Sequence, residues 1–183
     1  MIDNLSIDGT IPMDVFCKHV TSVNHDSPLH VHTHHIELLL IRSGNASFYT
    51  EHQAFPIPPR TLIIIPNGVW HCVLTHDSTP YERVCLNIDT NLIANISTNT
   101  TNLFNCFYDA LTQEVSTRFL DESQNAEFTN ACDKLVEIID HKEYAYDIYE
   151  RIELSKILLF ANKTTNLKQH RVNQIPKLLE KNH

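Results

Sequence analysis

Between Met13 and about Asp89 the apolar residues fall into short runs bounded by turn formers. MDVFCKHV, IELLLIR, ASFYTE, TLIIIP, VWHCVL and ERVCLNID each have the length and β-branched or aromatic content of a strand. Ser43, Gly44 and Asn45 separate two of these runs and predict a hairpin turn, with Gly44 at positive φ. Pro56, Pro58 and Pro59 precede TLIII and predict a tight linking segment instead of a central strand. From Asn91 the passage NLIANISTNTTN is polar and aperiodic, which marks a connection. Three- and four-residue steps follow at Phe104, Phe107, Leu111, Val115 and Phe119, then at Phe128, Ala131, Leu135, Ile138 and Ile139, then at Leu154, Ile157, Leu158 and Ala161. These predict three amphipathic helices. Their stripes serve either the local core or a seam between two copies of the chain; in the second case Leu135, Ile138 and Leu158 are the positions to use.

The 183 residues, 42% of them apolar, suffice for one sizeable core with a helical layer. The longest apolar runs are strand-sized, far short of the roughly 20 residues of a membrane helix. The opening MIDNLSIDGT has two Asp, no Lys or Arg and no apolar core, so it is no secretory signal and the expected location is the cytoplasm. Five scattered cysteines without a C-x-x-C pair fit reduced thiols. Residues 1–162 hold 9 Lys and Arg against 21 Asp and Glu, while residues 163–183 hold 5 against 1. An acidic body repels phosphate and cannot supply the counterion release that drives nucleic-acid binding. The basic tail is either a solvated helix end or the approach to something that binds DNA.

The chemistry concentrates in two blocks. PLHVHTHHIELLLIRSG places His30, His32, Glu37 and Gly44 in the spacing H-x-H-x4-E-x6-G, and PRTLIIIPNGVWH ends in P-x-G-x-x-H at His71. Histidines two apart on a strand share a face, and imidazole with carboxylate suits a divalent first-row metal. Glu37 has the opposite strand parity from His30 and His32, so it joins them only if a bulge or turn intervenes near Thr33 to His35. Two uses stand for the histidines: satisfied polar residues lining a barrel, or ligands of an occupied metal site drawn from His30, His32, Glu37 and His71.

These two blocks resemble the paired motifs of the cupin superfamily, with Arg60 where the second block usually begins with Gly and Thr75 where it usually ends with Asn. P-L-H-x-H-x4-E-L-L-L-I-x-x-G, L-I-I-I-P-N-G-V-W-H and Y-E-R-V-C-L-N-I at 81–88 resemble more closely the N-terminal domain of AraC-family transcription regulators. VNQIPKLLEKNH is similar to the opening of that family's DNA-binding domain.

The resemblance implies a mainly β fold, a cupin jelly-roll barrel with about three appended helices. It divides the chain into a sensing barrel at 1–100, a dimerising helical segment at 101–165 and, at 166–183, a basic linker with the start of an absent helix-turn-helix domain. The implied function is non-enzymatic: a small effector, such as a carbohydrate, binds in the barrel and controls DNA binding by a homodimer. No cofactor is required, though Zn, Ni, Mn or Fe could be held. Carbohydrate pockets need aromatic faces and planar donors, and Arg42, Tyr49, Tyr81 and Arg83 are the candidates, with Trp70 on the opposite face from His71. The rival reading is a metal-dependent cupin dioxygenase, isomerase or epimerase.

Overall fold

The computed structural model describes residues 6–7, 13–111 and 114–172. The six predicted runs form strands β2 (Val15–Ser22), β4 (His35–Ser43), β5 (Ala46–Thr50), β7 (Thr61–Ile65), β8 (His71–Thr75) and β9 (Tyr81–Asp89). Shorter pieces complete the set: β1 (Ser6–Ile7), β3 (His30–Val31), β6 (Ala54–Pro56) and β10 (Ser116–Phe119). They make two five-stranded sheets, ordered β1-β3-β8-β5-β6 and β10-β7-β4-β9-β2, antiparallel except for the β1/β3 pair. Helices α1 (Thr90–Ile96), α2 (Asn105–Leu111), α3 (Glu122–His141) and α4 (Tyr146–Val172) follow the barrel.

The apolar runs at β4 and β7 do not alternate with polar residues, and the structure shows why. All of Thr61–Ile65 and all of His35–Ile41 are buried, because their sheet is covered on both faces. Even positions Ile36, Leu38, Leu40, Leu62 and Ile64 join Val84, Leu86 and Ile88 against Phe128, Leu135, Leu154 and Leu158 of the helices. Odd positions Leu39, Ile41, Ile63 and Ile65 face the barrel interior with Phe48, Ile57, Val73 and Tyr81. Strand parity alone therefore divides the protein into a helix-facing core and a barrel core.

The helices are set by local signals. Asp121 caps α3, accepting from the Gln124 amide while the Gln124 side chain accepts from the Asp121 amide. Lys142, in the left-handed conformation, ends the helix. Asp89 caps α1 by accepting from the Asn91 amide, so the polar passage expected to be a connection begins as a short helix that buries Leu92 and Ile93.

Three expectations change. The helix expected to run from Phe104 to Phe119 stops at Leu111, and Ser116–Phe119 pairs with β7 as an edge strand. Glu114 at φ +64° breaks the helical path, Val115 enters the barrel core, and β10 satisfies the backbone groups along the β7 edge. The Ser43–Asn45 turn does have Gly44 at positive φ, but it joins strands of different sheets and is a barrel corner, not a hairpin. Leu135 and Leu158 are fully buried in the chain's own core, and Ile138 is partly covered, so they offer no free seam; exposed apolar side chains on α4 include Tyr146, Ile148, Tyr149, Ile152 and Leu159. The expected linker and DNA-binding opening at 166–183 begins within α4, and 173–183 lie outside the described residues. Pro56 sits on edge strand β6, where a missing N–H costs no ladder bond.

Two stability outcomes follow. A Cβ at Gly44 would lie 2.9 Å from the Tyr81 Cα at φ +106°, so Gly44→Ala should cost about 2 kcal/mol and lower the melting temperature by roughly 4–8 °C. Leu135→Glu should unfold the chain, since it places a charge in the helix-facing core; circular dichroism showing a folded, soluble variant would contradict that packing.

Candidate metal and effector site in the barrel

His30 lies directly opposite His71 in the β3/β8 ladder, which points both rings into the barrel. The chain bends at Thr33 and His34 and re-enters as β4 in the other sheet, so strand parity restarts at His35. Glu37 thus shares the inward parity of Leu39 and Ile41 and meets the histidines from across the barrel. The break required near Thr33 to His35 exists, as a crossover between sheets and not a bulge within one strand.

The donor atoms of His30, His32, Glu37 and His71 all lie within 4.8 Å of one another. Glu37 Oε2 is 3.2 Å from both His32 Nε2 and His71 Nε2. That is about the separation of neighbouring ligands on a first-row metal with bonds near 2.1 Å. Carbonyl oxygens fix two of the rings: Pro28 O is 2.8 Å from His30 Nδ1 and Val69 O is 2.9 Å from His71 Nδ1. A carbonyl can only accept, so Nδ1 carries a proton in both rings; His71 Nε2 donates to Glu37 when it is protonated too, and a bound metal would take the place of that second proton. Phe48 stacks on His71 at 5.6 Å between centroids. Burial alone would raise the Glu37 pKa, but the hydrogen bonds from His32 and His71 outweigh it and hold the carboxyl well below its usual range. Burial and the neighbouring His71 lower the pKa of His30, which favours its neutral, ligating form. The donor set therefore fits a divalent metal.

The inner wall continues along β9. Val84, Leu86 and Ile88 face the helices, whereas Tyr81, Arg83, Cys85 and Asn87 face inward. Asn87 lies opposite Glu37, and its Oδ1 is buried without a hydrogen bond; the buried Tyr81 hydroxyl has none either. Arg83 lies over the Tyr81 ring at 4.8 Å and donates to Ser22 Oγ at 3.0 Å. His25, from the loop after β2, has its ring 5.5 Å from that of Tyr81 and interacts electrostatically with both Arg83 and His30.

Of the four residues expected to contact an effector, the structure thus brings Tyr81 and Arg83 to the barrel interior. Arg42 instead pairs with Glu82 at 3.4 Å, next to the β4 irregularity between Ile41 and Ser43. Tyr49 lies on the opposite face of β5 from the buried Ala46 and Phe48. Trp70 is partly exposed ahead of β8. Asn87 was missed, although it shares the odd parity of Tyr81 and Arg83. His25 carried no sequence signal, because a loop sets its position.

No curated protein matches the sequence. Among solved structures, a Cupin 2 conserved barrel domain protein from Salinispora arenicola CNS-205 aligns at 16% identity and TM-score 0.40, over 48% of this chain and 73% of that one. ToxT from Vibrio cholerae O395, solved with (E)-4-(8-methylnaphthalen-1-yl)but-3-enoic acid bound, aligns at 8% identity and TM-score 0.54 over 86% of this chain. This chain covers 58% of the ToxT chain, and at that identity the likeness concerns the fold. The sequence model of the AraC-like ligand binding domain matches residues 12–158. Strands β2 to β10, helices α1 to α3, the first half of α4 and the two motif blocks lie within that span, and the chain belongs to the AraC-like ligand-binding domain family.

Proposed function

We propose that this chain is the effector-sensing and dimerisation part of a cytoplasmic AraC-type transcription regulator, with its effector bound inside the barrel and a divalent metal held by His30, His32, Glu37 and His71. The family match over residues 12–158 carries the sensing role. Support for an interior site comes from the inward polar wall of β9, where buried Asn87 Oδ1 and the Tyr81 hydroxyl lack protein partners. Unpaired polar atoms in a barrel are costly unless something else satisfies them. A small-molecule effector such as a carbohydrate would do so.

Regulation requires more than binding. The effector must favour one arrangement of the dimer over another, because equal affinity for both shifts nothing. Helix α4 shares the core containing Leu38, Leu40 and Leu86, the reverse side of the wall that carries Glu37 and Arg83. A change on the inner face therefore has one layer of packed side chains to cross. We assign the dimer contact to Ile148, Tyr149, Ile152 and Leu159, whose outward faces on α4 leave apolar surface uncovered. DNA contact falls to a helix-turn-helix domain beyond these residues, since the acidic body repels phosphate. No described helix is long and apolar enough to cross a membrane.

The second reading, a metal-dependent cupin enzyme, is favoured by one observation, the complete set of three histidines and a glutamate. In either reading a bound metal would supply a Lewis-acid centre for oxygen ligands.

Elemental analysis of untagged protein equilibrated with Zn²⁺ should give one ion per chain, and His71→Ala or His32→Ala should bring this to near zero. Unchanged stoichiometry would place the metal elsewhere. Affinity should fall on acidification, because each imidazole must lose its proton to bind. In light scattering over a concentration series, the native chain should be a dimer, and Ile152→Glu should give a folded monomer. A native monomer of 21.1 kDa at tens of micromolar would defeat the dimer assignment.

A further inference from the structure

The inner wall carries an unusual charge for this protein. The chain is strongly acidic over residues 1–162, with 9 Lys and Arg against 21 Asp and Glu, so cations ought to find carboxylates easily. Arg42 does so with Glu82, and Lys156 with Glu153. Two cations on the inward face of the β2/β9 pair do not. Among the described residues, no carboxylate lies within ion-pair distance of Arg83 or Lys18.

Their facing is fixed by register. In the antiparallel β2/β9 ladder, Phe16 lies opposite Asn87, Lys18 opposite Cys85, and Val20 opposite Arg83. Directly opposed residues share a face, so Lys18 and Arg83 stand on the same wall as Asn87 and, one strand further in, Glu37. β2 is the edge strand of its sheet. Lys18 is exposed and Phe16, Val20, Arg83 and Cys85 are partly exposed, whereas Leu39, Ile41, Ile63 and Ile65 deeper in the interior are buried. The Lys18 ammonium lies 5.5 Å over the Phe16 ring, and Arg83 lies over Tyr81 and hydrogen-bonds Ser22. All of these partners are neutral, so two uncompensated positive charges stand on the wall that runs through Asn87 to Glu37.

We propose that the effector of this barrel is a small organic anion, whose carboxylate binds between Arg83 and Lys18 at the β2/β9 edge and whose other, oxygen-bearing end faces Asn87 and the His30, His32, Glu37 and His71 cluster. This rests on the reading of the barrel interior as the effector site and replaces a neutral sugar with an anion. Arg83 suits the role because its planar donors pair a carboxylate in two places, while Tyr81 and Ser22 hold its orientation. Lys18, at the rim, adds attraction that salt weakens. Asn87 Oδ1, buried without a hydrogen bond, would accept from a hydroxyl on the inner end. The aromatic surfaces of Phe16 and Tyr81 bound the space between.

The test is thermal denaturation of the whole chain, both stripped of metal and loaded with Zn²⁺. The panel sets organic acids (succinate, citrate, 2-oxoglutarate, benzoate) against neutral sugars (arabinose, glucose, rhamnose), all at constant ionic strength. At least one acid should raise the melting temperature, by about 5–10 °C at a hundredfold excess over Kd. That shift should vanish in Arg83→Gln, survive in part in Arg83→Lys, and need several-fold more acid in Lys18→Gln, whose exposed position leaves folding intact. An acid shift that persists in both Arg83→Gln and Lys18→Gln would overturn the proposal. Stabilisation by a sugar, with no acid effective, would overturn the anion but keep the barrel as an effector site. Failure of every acid and every sugar would count against both.

Discussion

The structure depends on one strand buried on both faces. From His35 to Ile41 every side chain is covered, and such a strand cannot slip by one residue without exchanging its two faces. In the observed register, Ile36, Leu38 and Leu40 meet the helices, and Glu37, Leu39 and Ile41 meet the barrel. The carboxylate of Glu37 is thereby carried into an apolar interior at the one level where three histidines wait for it. Its burial is tolerable only because His32 and His71 hydrogen-bond it. A one-residue shift would place Glu37 among Leu135 and Leu158, where no such partner exists among the described residues. Packing of the helices and assembly of the site are thus the same event.

Much of this was legible in the sequence. The six longest strands and the last two helices follow from periodicity, and the metal-type quartet from donor types and spacing. What was not legible has physical causes. Ser116–Phe119 continues a three- and four-residue apolar spacing, yet becomes a strand because the open β7 edge offers its backbone a full set of partners. Leu135 and Leu158 belong to stripes that serve equally well as seam or core, and periodicity cannot distinguish the two uses. Arg42 and Tyr49 lie near the motif strands in sequence, but the corner at Gly44 moves the chain between sheets, so nearness along the chain gives no guide to facing. Asn87 could have been found by counting twos from Tyr81; His25, held by a loop, could not.

The same arrangement gives a physical basis for sensing. The wall that carries Glu37, Arg83 and Asn87 inside carries Leu38, Leu40, Val84 and Leu86 outside, where α3 and α4 pack. Protein interiors are close-packed and transmit displacement instead of absorbing it. An occupant drawing Arg83 or Asn87 inward acts on strands whose other face is the seat of the helices. The barrel wall and the seat of the helices are thus two faces of the same strands.

The account stands or falls on what the quartet holds. The direct measurement is a crystal structure of the chain grown with Zn²⁺, with anomalous diffraction recorded on both sides of the zinc absorption edge. The account predicts one strong peak about 2.0–2.2 Å from ligand atoms of His30, His32, Glu37 and His71. A peak only at another histidine–carboxylate pair, such as His19–Asp133 or His52–Glu114, with Glu37 still bonded directly to His32 and His71, would contradict it.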